Sequence, residues 1–140
     1  MNKKNEEETR SKAYIFKDFQ RACDKCQRSV LVSKKAIKDA LNSPLNLDGK
    51  RGILNYIAQQ NEKDFVYINT DYYKNGIKGE NPLVDAYNQY LNYWVLYVAF
   101  LKVKIDKNWF WYIKSFHSDK KGGAAPIGNI AKIIGKNNEK

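Results

Sequence analysis

The chain has 140 residues, with 25 Lys and Arg against 15 Asp and Glu, a formal charge of +10. That length suits one domain with its own core, needing no disulfide or metal staple, and the charge points to a polyanionic partner such as nucleic acid. Met1 to Lys12 is almost wholly polar, so no signal peptide and a cytoplasmic location are expected. The longest apolar run, Tyr93 to Leu101, has nine residues against roughly 20 for a membrane-crossing helix, so no membrane partner is expected.

Residues 1–10 are charged and without periodicity and read as a disordered arm. Phe16, Phe19, Cys23, Cys26 and Val30 then step by three and four. This predicts an amphipathic helix from Ser11 or Lys12 to about Ser29, with Lys17, Arg21, Lys25 and Arg28 on its wet side. Cys23 and Cys26 form one Cys-x-x-Cys, half of a zinc site or a redox pair. The chain has no second cysteine pair and His117 is its single histidine. Both cysteines therefore read as buried free thiols on the apolar stripe, with no metal and no cofactor expected.

Ser33 is a good N-cap for a helix over Lys34 to Leu41, stopped by Asn42-Ser43-Pro44. A third helix is expected from Asp48, as cap, to Gln60, with Ile53, Leu54, Ile57 and Ala58 inward. Lys50 and Arg51 stand in its first turn, where cations oppose the helix dipole. Either they share an anion such as phosphate with the free amides, or the turn is simply solvated.

Phe65 to Thr70 reads as a strand and Asn75-Gly76 as a turn. Asn81 and Pro82 suit the cap and first position of another helix, with Asp85, Asn88, Gln89 and Asn92 wet and Val84, Tyr87 and Leu91 toward the sheet. Near Tyr93 the polar face vanishes and β-branched and aromatic residues take over, predicting a long antiparallel hairpin over 93–117 around Asp106-Lys107-Asn108. Tyr93 to Leu101 should be covered on both sides, whereas Lys102 and Lys104 alternate with Leu101, Val103 and Ile105 and mark a wet face. His117 closes the second strand. The fold class is α+β, with one domain over 11–119 and, over 120–140, a Gly/Ala/Pro linker and a short helical tail at Ile127 to Ile134.

Leu45-Asn46-Leu47-Asp48, followed by an apolar helix into Glu62-Lys63-Asp64-Phe65, resembles the middle of the MqsR-like bacterial toxins. Phe100-Leu101-Lys102-Val103-Lys104-Ile105 and Ile113-Lys114-Ser115-Phe116-His117 resemble their last two strands, so the likeness spans about residues 34–118. It implies a RelE-like or barnase-like arrangement, with N-terminal helices packed on one face of a small twisted antiparallel sheet. It also implies a metal-independent endoribonuclease of a toxin-antitoxin system acting on single-stranded RNA, such as mRNA, and held in check by a cognate antitoxin or other acidic protein. By that resemblance His117 matches the basic residue after Ser-Phe, and Lys102 a lysine on the neighbouring strand. Three positions depart: Tyr67 stands where the family has lysine, Val84 where it has glutamine, and Phe100 where it has tyrosine. These departures leave open a non-catalytic nucleic-acid-binding or protein-interaction module on the same fold.

Metal-free RNA cleavage needs a base for the ribose 2′-hydroxyl, an acid for the leaving oxygen and cations around the phosphate. His117 and Lys102 are the catalytic candidates, with Lys104 and Lys114 as phosphate-binding cations. The alternative for His117 is a satisfied surface residue at a strand end. The nuclease reading requires the imidazole and the ammonium groups of the adjoining strand to share one concavity. Tyr67, Tyr72 and Tyr73 are candidate rings for base stacking, Tyr72 and Tyr73 being expected at the surface.

Overall fold

A computed structural model describes residues 11–73 and 82–120. Helix α1 (Phe16–Lys25) is followed by β1 (Val30–Val32), α2 (Lys34–Leu41), α3 (Gly49–Gln59), β2 (Phe65–Tyr72), β3 (Leu83–Tyr90), β4 (Trp94–Ile105) and β5 (Asn108–Lys120). These elements make an α+β fold whose five-stranded sheet has the order β1-β5-β4-β3-β2. Strand β1 is parallel to β5, and the other neighbours are antiparallel. The N-terminal arm, the Asn75-Gly76 turn, the Gly/Ala/Pro linker and the 127–134 tail lie outside the described residues.

The helices end where side chains capture backbone groups. Helix α1 is shorter than the apolar stripe predicts: Gln27 Nε2 donates to the Cys23 carbonyl at 2.8 Å, and Ser29 Oγ donates to the Cys26 carbonyl at 2.7 Å. Such local bonds offer the chain an alternative to the next helical turn. Cys26 consequently leaves the helix and is exposed, correcting its expected burial, while Cys23 stays buried. Burial pushes the Cys23 thiol up from 9.0 to about 12. Ser33 caps α2 by accepting from the Ala36 amide at 3.0 Å. Asp48 precedes α3 without a side-chain cap bond, and Gly49 makes the entry turn at φ +69°, where the absence of a Cβ avoids a clash.

Residues 83–90 form a strand, which overturns the helix expected from Asn81-Pro82. The physical reason lies in Asp85 and Gln89, whose spacing mimics a wet helical face although both are buried. Asp85 accepts from the Ala13 amide at 3.0 and 3.1 Å, the Tyr14 amide at 2.9 Å and Thr70 Oγ1 at 2.6 Å. Gln89 accepts from Tyr56 Oη at 2.5 Å and donates to Gln60 Oε1 at 3.0 Å. Both side chains point into the helix-covered face, where protein donors and acceptors replace water. The Asp85 bonds also hold residues 13–14 as a strap ahead of α1, so the helix starts at Phe16 and not near Ser11.

All three helices pack on one face of the sheet. Phe19 stacks on Phe100 with centroids 3.8 Å apart, and Phe16 meets Phe65 at 4.8 Å and Tyr87 at 4.7 Å. The opposite face carries Val84, Ala86, Ala99, Leu101 and Val103, with Tyr73, Tyr97, Phe110 and Tyr112 packed against them. Coverage of 93–101 is therefore uneven, since Tyr93 is 64% exposed and Val95 and Tyr97 are half-buried. Asp106 and Lys107, at φ +49° and +72°, turn β4 into β5 with the twist that suits a two-residue connection. Among the described residues no helix is long and apolar enough to cross a membrane.

Two stability predictions follow from these buried groups. Replacing Asp85→Ala strands the Ala13 and Tyr14 amides, at about 1–3 kcal/mol for each donor left unpaired, while the Thr70 hydroxyl keeps Tyr67 Oη as a partner. Urea unfolding should show a loss of at least about 2 kcal/mol at unchanged m-value; a loss below about 0.5 kcal/mol would refute the anchoring role. The second concerns alkaline pH. The folded Cys23 thiol binds its proton up to about 12, against 9.0 ordinarily, so above pH 9 the folded state holds more protons than the unfolded state. Its stability contribution is then complete below pH 9 and declines at up to about 1.4 kcal/mol per pH unit as pH rises toward 12. Urea titrations from pH 8 upward should show a steeper decline for the natural chain than for Cys23→Ala.

Candidate functional site

The register of β4 against β5 decides where the candidate residues point. Ala99 pairs with Ser115 but Phe100 pairs with Ile113, so Lys114 is an extra residue, a β-bulge, in β5. An inserted residue reverses the facing of everything beyond it. Before the bulge Trp109, Trp111 and Ile113 share the face of Lys104, Lys102 and Phe100; after it Phe116 and Ser118 take that side, and Ser115, His117 and Asp119 turn to the other.

His117 pairs with Tyr97 and stacks on its ring at 5.0 Å and 28°. Its Nδ1 lies 3.6 Å from Asp119 Oδ2, with the two side chains 35% and 56% exposed. Lys102 is five residues along β4 from Tyr97 and faces the helices, about 17 Å away along the strand. The structure thus does not bring the imidazole and the β4 cations into one concavity, and that part of the expected site is corrected.

His117 instead borders a cleft of ≈ 710 Å³ between β5 and the exposed side of α2. Lys35, Asp39, Asn42, Ser43 and Pro44 form one wall, and Trp94, Ser115, His117, Ser118 and Asp119 the other. Lys35 Nζ is 3.1 Å from Asp39 Oδ2. The helix supplies these residues because Lys35, Asp39 and Asn42 recur at helical spacing, while Ala36 and Ala40 on the adjoining stripe are buried in the core. Among the described residues no cluster of His, Cys, Asp or Glu is built to hold a metal.

At the other end of the sheet, two lysine–tryptophan pairs cross from β4 to β5. Lys102 Nζ lies 4.9 Å from the Trp111 centroid and Lys104 Nζ 5.8 Å from that of Trp109. Trp111 is nearly buried beside Tyr14 and Phe100, whereas Trp109 is 57% exposed. A cation over an indole face is attracted by the ring quadrupole, and an exposed indole is also a surface on which a base can stack.

The remaining candidates are dispersed. Lys114 is exposed at the bulge, and its carbonyl accepts from Ser33 Oγ at 2.9 Å. Lys50 and Arg51 stand in the first turn of α3, half-buried and exposed respectively. Tyr67 is half-buried on the helix side, bonded to Thr70 Oγ1 at 2.5 Å and lying 5.6 Å from Lys12 Nζ. Tyr72 is exposed, but Tyr73 packs against Tyr112 with centroids 6.3 Å apart, correcting its expected exposure. Asp119 and the Lys35–Asp39 wall were not anticipated. Their signals are present in the sequence, as the alternation Ser115-x-His117-x-Asp119 and the α2 spacing.

Deleting Lys114 should restore uninterrupted alternation and drive Phe116, now fully buried, toward solvent. The expected cost is about 3 kcal/mol or more, the scale of losing a core phenylalanine, whereas Lys114→Ser should change urea stability by less than about 1 kcal/mol. A deletion variant as stable as the natural chain would refute the bulge. Compared with known proteins, the chain matches no protein-family model, no curated protein and no solved structure.

Proposed function

We propose that this protein is a basic nucleic-acid-binding module that takes single-stranded RNA along the outer end of the β4–β5 pair. The observation that carries this reading is the pair of cross-strand lysine–tryptophan contacts ending in the exposed Trp109. Lys102 and Lys104 lie where a phosphate backbone would run, and the +10 charge of the chain supplies long-range attraction. Base recognition then rests on Trp109, not on the tyrosines: Tyr67 is engaged by Thr70 and Tyr73 by Tyr112.

A second reading, a toxin-type metal-independent endoribonuclease on a RelE-like fold, is favoured by the His117–Asp119 pair at the mouth of a cleft. There Asp119 would orient the imidazole, His117 would move the proton, and Lys35 or Lys114 would neutralise phosphate. Lys102 has no part in that chemistry, being on the far side of the sheet. A cytoplasmic location and an acidic antitoxin-like partner belong to this reading.

One assay separates the two: single-stranded RNA incubated with the full chain in EDTA and followed by anisotropy and on a denaturing gel. The binding module gives intact RNA and affinity that falls with salt. Changing Lys102 and Lys104 together to Gln should lower the log–log salt slope by about 1.4, and Trp109→Ala should cost about 1–3 kcal/mol of binding. Salt-indifferent binding would sink the first reading. Cleavage abolished by His117→Ala would establish the second; intact RNA at high protein, or equal cutting by His117→Ala, would remove it.

A further inference from the structure

An antiparallel sheet whose second face meets water ordinarily alternates apolar and polar residues along its strands. Strand β4 does not. Leu96, Val98 and Phe100 are buried beneath the helices, yet Val95, Tyr97, Ala99, Leu101 and Val103, on the other side, are apolar or aromatic as well. Across that side the register sets Ala86, Ala99 and Ser115 in one row and Val84, Leu101 and Tyr112 in the next. The rings of Tyr73, Tyr97, Phe110 and Tyr112 pack around these small and aliphatic residues but are themselves only half-buried, and Val66, in the row of Tyr97, is 48% exposed. Among the described residues no helix lies on this side.

The chain leaves the described region at a corner of this face. Strand β5 ends at Lys120, opposite Trp94 and directly after Asp119. From there the row of Ser115 is about 17 Å back along the strand, and residues 121–126, Lys-Gly-Gly-Ala-Ala-Pro, span up to about 20 Å. Ile127, Ile130, Ala131 and Ile134 follow at the three-and-four spacing of one apolar stripe, with Asn129 and Lys132 off it. Charge agrees with this neighbour. The face carries Asp71 and Asp119, whereas Lys132 and Lys136 are the charged residues of 127–136.

We infer that the 127–134 segment covers the helix-free face, lying over Ala99, Leu101 and Val103 with Ile127, Ile130 and Ile134 against the sheet. The sheet then has an apolar cover on both sides, which is what the missing alternation of β4 requires. Tethering selects this occupant over a second copy. Through so short a linker the segment meets its own sheet at roughly millimolar effective concentration, and without the cost of bringing together two molecules that each carry +10. The contact is independent of the RNA reading, whose Lys102 and Lys104 face the helices.

The test uses the full chain with isotope-labelled Ile, Leu and Val methyl groups. Nuclear Overhauser spectra should show contacts from the Ile130 and Ile134 methyls to those of Leu101 and Val103, unchanged on dilution. Ile130→Asp combined with Ile134→Asp should raise binding of a dye specific for apolar surface several-fold, while Lys132→Ser, off the stripe, leaves it as in the natural chain. Three outcomes overturn the inference: no such methyl contacts in the natural chain; contacts that, in a mixture of differently labelled copies, join separate molecules and so make a second copy the occupant; or a double variant that binds dye no better than the natural chain.

Discussion

One extra residue in one strand governs the layout of this molecule's surface. Because Lys114 is accommodated as a bulge, Phe116 closes the core beneath the helices while His117 emerges on the opposite side. A regular β5 would place the imidazole on the same side as Lys102 and Trp111. The cost of the bulge is local, since Ser33 satisfies the Lys114 carbonyl. Its effect is global, because strand facing has a period of two and a single slip inverts the whole remainder.

A second organising element is the polar content of the core. Asp85 and Gln89 are buried in the sheet's interior, yet each is bonded to groups brought by other elements: the strap before α1, β2, and the end of α3. Gln20 extends this pattern, donating to the Ile57 and Gln60 carbonyls at 3.0 and 2.7 Å and so tying α1 to the end of α3. These bonds add directionality to a contact surface otherwise built of aromatic rings. Rings alone could slide; a carboxylate with several fixed donors cannot.

Much of the local chemistry was legible, with the early end of α1 as the exception. Ser33 as a cap, the extent of α2 and the inward face of α3 follow from short-range rules and match the structure, as does a strand beginning near Tyr93, although the segment ahead of it is a strand and not the expected helix. Non-local satisfaction was not legible. Asp85 reads as solvated because two of its donors, the Ala13 and Tyr14 amides, lie more than seventy positions earlier in the chain, and a buried polar residue has the same sequence signature as a wet one. Cys26 fits the apolar stripe, but the Ser29 hydroxyl takes its carbonyl and the helix ends first. The bulge was the least accessible feature: Lys114-Ser115 carries no glycine or proline, so nothing announced that the facing would reverse.

The placement of β1 has a bearing on how the chain acquires its shape. This short strand from the first third of the sequence finds its ladder partner only at residues 111–113, near the far end of the described region. The strap at Ala13 must likewise wait for Asp85. On a ribosome, where synthesis proceeds at about 5–20 residues per second, α1 through α3 therefore emerge with their apolar sides uncovered for seconds. The early half is a passenger until the last strand arrives, which makes the nascent chain a natural client for whatever shields hydrophobic surface during translation.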